Sequence, residues 1–109
     1  MDTRHLFNLS TALKKVSELD QEMPIHHLQF LIFVALHPGC TQTEVGDALG
    51  VKSSTMTRIT SKMSEQASLT EKGLGLVNNE IDPQHRSRRL LTLTPKGQRL
   101  MAAVSQSFK

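Results

Sequence analysis

The sequence predicts a mainly α-helical fold with one small β-hairpin, and three features lead to it. Apolar residues recur at helical spacing through residues 3–20 and 53–65, around a nearly continuous apolar block at Phe30–Leu36. Gly46 and Gly50 sit four residues apart inside Thr41–Met63, the spacing that two steeply crossing helices and a tight turn require. Two strand-like segments, 76–82 and 89–93, flank a tip containing proline and arginine. The resulting order, α-α-α-α-β-β-α, is that of a winged helix-turn-helix.

Each element has a local reason. Leu6, Leu9, Leu13 and Val16, with Phe7 beside them, make residues 3–20 an amphipathic helix. Pro24 breaks that helix and suits the first turn of the next, which runs to His37 and stops at Pro38-Gly39. Thr41 or Thr43 opens a third helix that ends at Gly50. Ser53 is the expected N-cap of a fourth, running to about Glu65. Residues 66–75 show no period, and two glycines close them. Leu76–Asp82 and Arg89–Leu93 are the expected strands, with Pro83–Arg88 as the tip between them. Thr94 caps a last helix with Pro95 at its first position. We therefore expect one domain over residues 1–109. Its parts are an N-terminal dimerisation helix (1–20), a helical core with the helix-turn-helix (24–65), a wing hairpin (76–94) and a C-terminal helix (95–107).

Composition narrows the function classes. A chain of 109 residues can bury an ordinary core without staples. Its single cysteine excludes an internal disulfide and suits a reducing compartment. Met1-Asp-Thr-Arg-His5 is not a signal peptide, and Phe30–Leu36 falls far short of the roughly 20 apolar residues that span a bilayer. A cytoplasmic protein without membrane contact is the expectation. The net charge of +3 is unevenly spread: residues 1–51 carry −3 and residues 52–109 carry +6. The basic half begins with the fourth helix, as expected if that half faces phosphate.

On that fourth helix Met56, Ile59 and Met63 share one face, set to pack on Val45, Leu49 and the second helix. Ser54, Thr57, Arg58 and Ser61 point the other way, with Lys62 on the flank. Short hydroxyls let a backbone approach a groove floor, and arginine can grip guanine O6 and N7 with two hydrogen bonds. Ser53, Thr55 and the free N–H groups at the helix start suit phosphates, as do Lys52 and Lys62. Arg86, Arg88 and Arg89 place further cations on the wing, for phosphates and the minor groove. A plain surface helix could carry the same hydroxyls. The glycine spacing before it and the basic hairpin after it favour a reader of double-stranded DNA.

Pro38-Gly-Cys-Thr-Gln-Thr-Glu-Val-Gly-Asp-Ala-Leu-Gly-Val-Lys-Ser-Ser-Thr-Met-Thr-Arg58 resembles the helix-turn-helix of the MarR (multiple antibiotic resistance regulator) winged-helix repressors. Asp82-Pro-Gln-His-Arg86, followed by Leu90, Leu93-Thr94 and Gly97, resembles that family's wing signature. The resemblance covers roughly residues 24–100. It implies a transcriptional regulator that binds a pseudo-palindromic operator as a dimer. In that picture the fourth helix lies in the major groove and the wing arginine in the minor groove. Three departures stand out. His85 and Ser87 replace an acid and an arginine of the family's wing turn, while Arg86 keeps its place. Residues 67–73 look like extra chain. Only 15 residues follow Thr94, where the family has long dimerisation helices. Leu100, Met101 and Val104 are expected to pair with Leu6, Leu9 and Leu13, forming a small homodimer interface or burying within one subunit.

Other chemistry finds little support. His26 and His27 diverge by about 100° on a helix and cannot share a metal. His37 and Cys40 can approach across Pro38-Gly39, without a second ligand pair. Cys40 precedes a helix start, where a thiolate is favoured, without a resolving cysteine. No residues meet the geometric minimum of a catalytic site, so neither enzyme activity nor a cofactor or metal is expected. MarR-like repressors often bind small phenolic or lipophilic ligands, and no motif here assigns residues to such a pocket. The competing function is a winged helix used for protein interaction, as an anti-repressor or adaptor.

Overall fold

Asp2 accepts a hydrogen bond from the Arg4 N–H at 2.9 Å and opens the first helix, α1 (Thr3–Leu19). The computed structural model describes residues 1–65 and 72–109. After Asp20 turns the chain to extended backbone, Pro24 stands at the N-cap of α2 (Ile25–Leu36), which buries Phe30, Leu31 and Val34. Helix α3 (Gln42–Leu49) begins with a capping box: the Thr41 hydroxyl accepts from the Glu44 N–H, and the Glu44 carboxylate accepts from the Thr41 N–H. Such caps contribute about 1 kcal/mol. Gly50 ends α3 at φ +68°, a left-handed conformation that glycine enters without steric cost. Helix α4 (Ser53–Met63) follows, then the strands β1 (Val77–Asp82) and β2 (His85–Leu93) and the helix α5 (Pro95–Gln106). The architecture is the winged helix-turn-helix expected from the sequence.

Several boundaries differ from expectation. Lys52, not Ser53, occupies the N-cap of α4, and no side chain caps that end. Helix α4 stops at Met63 rather than Glu65, because the chain from Gly73 to Leu76 turns back along its C-terminus. The N–H groups of Gly73, Leu74, Gly75 and Leu76 donate to the carbonyls of Glu65, Lys62, Ser64 and Met63 at 2.8–3.0 Å. Carbonyls that a helix end leaves without partners are thereby satisfied. The stretch expected as extra chain, 67–73, falls largely outside the described residues.

The hairpin is antiparallel and regular from Val77↔Leu93 to Ile81↔Arg89. The next pair is Asp82↔His85, so Arg86, Ser87 and Arg88 have no partner in β1 and bulge from β2. The turn is therefore Pro83-Gln84, and the segment Pro83–Arg88 is not one loop. At its base β2 makes a second pairing, with the chain before α3. The Gly39 N–H donates to the Leu91 carbonyl and the Leu91 N–H donates to the Cys40 carbonyl, both at 2.8 Å. Thr94 locks the other side, donating from its hydroxyl to the Gly75 carbonyl at 2.7 Å and capping α5 through the Gly97 N–H.

The core gathers Phe30, Leu31, Val34, Val45, Met56, Ile59, Met63, Leu76, Val77 and Leu91, so α2, α3, α4 and both strands share it. Large apolar side chains buried this fully contribute about 1.5–3 kcal/mol each before entropy is charged. Helix α5 joins through Leu100 and Met101. Leu6, Leu9 and Leu13, expected to pair with these residues, lie outside that core. Ala12 and Val16 are the buried residues of α1, and the Lys15 ammonium donates to the Ala103 carbonyl on α5 at 3.1 Å. Leu6, Leu9 and Leu13 remain 45–52% exposed.

Candidate nucleic-acid interface

The crossing of α3 over α4 is set at Gly46. A Cβ there would lie 2.9 Å from Met56 Cγ and 3.1 Å from the Val51 carbonyl oxygen, so a larger residue would force the helices apart. Met56, Ile59 and Met63 are buried, as the apolar spacing requires. The opposite face carries exposed Ser54, Thr57 and Arg58, with Ser61 half-buried behind them. Lys52, Ser53 and Lys62 are exposed at the two ends of α4, and Thr55 is half-buried. Among the described residues neither Arg58 nor Lys62 is held by an ion pair or a side-chain hydrogen bond, so both cations are available to phosphate or base.

Thr57 is exposed, yet its hydroxyl is already engaged. It donates to the Ser53 carbonyl and accepts from Gln42 Nε2, both at 3.0 Å. Gln42 is the first residue of α3, so this bond ties the start of α3 to the outer face of α4. The same turn of α3 then faces the wing. Thr41, Gln42, Thr43 and Glu44 line an open cleft of about 770 Å³ whose other wall is His85, Ser87, Arg88 and Arg89. One polar surface thus runs from α4 through Gln42 to Arg88 and Arg89 of β2.

The three wing arginines are not equivalent. Arg88 Nε lies 3.8 Å from the Asp82 carboxylate, whose other oxygen accepts the Gln84 N–H at 2.9 Å and shapes the turn. Arg89 donates to the Asn79 carbonyl at 3.2 Å. Arg86 has no such partner among the described residues and stands exposed on the bulge. Where the family's wing has an acid and an arginine, His85 Nδ1 and Ser87 Oγ lie 2.9 Å apart.

Electrostatics at the start of α3 support an anchoring role. The Thr41 N–H, and then the Thr41 hydroxyl, hold the Glu44 carboxyl below the usual carboxylate range. Burial pushes the Cys40 thiol up, and the Glu44 charge adds to the effect. The thiolate expected ahead of a helix start is therefore disfavoured: Cys40 is a core residue beside the Leu91 bridge. His37 lays its ring against Phe33 at a tilt of 43°, with centroids 4.5 Å apart.

Comparison with known proteins gives this geometry its context. The family model for the MarR family matches residues 21–73. The chain is a MarR-like winged helix. It is similar to the PcaV transcriptional regulator of Streptomyces coelicolor, solved with its natural ligand. There the identity is 27% and the TM-score 0.65, over 79% of this chain and 55% of PcaV. It is similar to S. aureus MepR in a DNA complex, at 21% identity and TM-score 0.75, over 91% of this chain and 73% of MepR. It is also similar to the repressor CouR bound to a 23-mer DNA duplex, at 21% identity and TM-score 0.70, over 94% of this chain and 66% of CouR. The MarR-like chain thus spans little more than half the length of PcaV. No curated protein matches it by sequence at a significant level.

Two features of this MarR-like surface escaped the sequence reading: Gln42, and the pairing of Gly39-Cys40 with Leu91. A weak signal for the first existed. The Thr41-x-x-Glu44 capping box places Gln42 at the exposed first turn of α3, on the side where α4 crosses.

Proposed function

We propose that this chain is a sequence-specific, double-stranded DNA-binding transcriptional regulator, a repressor that occupies a pseudo-palindromic operator as a homodimer. The observation that carries the reading is the surface joining the outer face of α4, Gln42 and the Arg88–Arg89 wall of the wing, with the uncommitted Arg86 exposed on the bulge beside it. In this reading α4 enters the major groove. Ser54, Thr57, Arg58 and Ser61 choose the sequence, and Arg58 grips a guanine. Lys52, Lys62 and the start of α4, with Ser53 and Thr55, hold phosphates. Arg86 reaches the minor groove, and Arg88 and Arg89 neutralise the flanking backbone. MepR and CouR, which share the fold, were solved on DNA.

The homodimer rests on α1. Its stripe of Leu6, Leu9 and Leu13, with Phe7 at 71% exposure, is a contiguous apolar face of the kind that marks an interface. Two-fold symmetry would double the phosphate contacts and present two α4 helices to half-sites about one helical turn apart.

Selection of bound duplexes from a random pool tests the proposal. A palindromic consensus is expected. A protein-interaction module would enrich no sequence and show no protected footprint. Leu9→Glu is expected to give monomers in light scattering and to lose the second half-site from the footprint.

A further inference from the structure

We infer that Gln42, on α3 rather than on α4, is a specificity-determining residue of the DNA surface, acting with Thr57 as one reading unit. This inference rests on the reading of α4 as the helix that enters the groove. A hydroxyl has one donor and two acceptor lone pairs. Thr57 spends its donor on the Ser53 carbonyl and one lone pair on Gln42 Nε2. What remains for a base edge is a single acceptor, which cannot satisfy the N7 and O6 acceptors of guanine. Gln42 keeps the complementary pair. With one Nε2 hydrogen given to Thr57, it retains a second hydrogen and the Oε1 carbonyl, and no other described residue engages them. An adjacent amide donor and acceptor match the N7 acceptor and N6 amino group of adenine in the major groove.

Placement supports the role. Gln42 is half-buried between a small cavity of about 70 Å³, lined also by Gly46, Ser53 and Met56, and the open cleft toward the wing. Its backbone is fixed by the Thr41–Glu44 capping box, and its side chain by the bond to Thr57. A groove-reading amide needs this support on both sides, because a mobile glutamine loses rotamer entropy on binding. The unit therefore favours adenine at one base pair of each half-site, and either member alone is an incomplete reader.

The test compares wild type, Gln42→Ala, Thr57→Val and the double variant, using duplex selection and anisotropy titrations on selected and random duplexes. Circular dichroism melts would confirm that each variant folds. Each single variant is expected to lose the preference at the same base pair, and about 5- to 150-fold of affinity for the selected duplex. Affinity for random duplex should be unchanged, and the double variant should be no weaker than the worse single variant. The inference is overturned if Gln42→Ala leaves the consensus intact. It is also overturned if Gln42→Ala weakens random and selected duplexes alike, as a phosphate contact would, or if the two losses multiply. Wild type that enriches no duplex overturns the DNA-reading function itself, an outcome distinct from all of these.

Discussion

Between α3 and α4 the contacts that set the crossing angle are buried: Gly46 lies against Met56, and Val45, Met56 and Ile59 are at most 2% exposed. Beyond Ile81 the wing has nothing comparable. Its tip is held by the Asp82–Arg88 pair, in which the Arg88 side chain is 54% exposed and that of Asp82 15%, by the Asp82-to-Gln84 turn and by the exposed Ser87–His85 contact. Exposed ion pairs contribute about 0–1 kcal/mol, whereas a core side chain contributes several-fold more. The difference suits different tasks. Reading base edges requires side chains fixed to a fraction of an ångström, while neutralising phosphates tolerates a surface that adapts. The same contrast runs along the wing, whose base is tied by backbone bonds to Gly39, Cys40, Gly75 and Leu76 and whose tip is held by side-chain contacts.

Substitutions can break this comparison in order of effect. Met56→Ala removes the side chain that seats Gly46 and is expected to cost about 2–5 kcal/mol in urea unfolding. Gly46→Val forces methyl groups toward Met56 and the Val51 carbonyl and is expected to cost about 1–3 kcal/mol. Arg88→Ala, at the wing tip, should change unfolding by no more than about 0.5 kcal/mol. A larger loss there would mean that the tip is as firmly fixed as the helices.

The smallest effect is one of pH. His27 is half-buried, its Nδ1 has no partner among the described residues, and burial lowers its pKa below the ordinary 6.5. Asp20 pulls the other way, while Lys62 and His26 push it further down. The unfolded chain thus binds a proton that the folded chain resists, so stability present above pH 6.5 is lost as pH falls below it. Urea midpoints measured on both sides of that pH should show the loss, and His27→Gln should flatten it.

Much of this was legible in the sequence, for reasons particular residues make clear. Met56, Ile59 and Met63 announce a buried face because their spacing matches the helical period, and Gly46 and Gly50 announce a crossing and a turn. The packing of α1 was not legible. Its leucine stripe is the stronger apolar signal, yet Ala12 and Val16 are the residues that α1 buries, and Lys15 is the one that bonds to α5. The bulge of Arg86, Ser87 and Arg88 was hidden because the register shift leaves no compositional mark. The Gln42–Thr57 bond joins residues 15 positions apart, and the Cys40–Leu91 pairing depends on the finished fold, so neither shows as a local pattern.

The central claim is that α4 reads sequence while the wing supplies affinity. The most direct test titrates Arg58→Ala and Arg86→Ala against the selected duplex and a random duplex over a range of salt. Arg58→Ala is expected to lose about 1–3 kcal/mol on the selected duplex alone, with the salt slope kept. Arg86→Ala is expected to weaken both duplexes together and lower the salt slope by about one. Equal losses on both duplexes for Arg58→Ala, or a loss confined to the selected duplex for Arg86→Ala, would contradict the account.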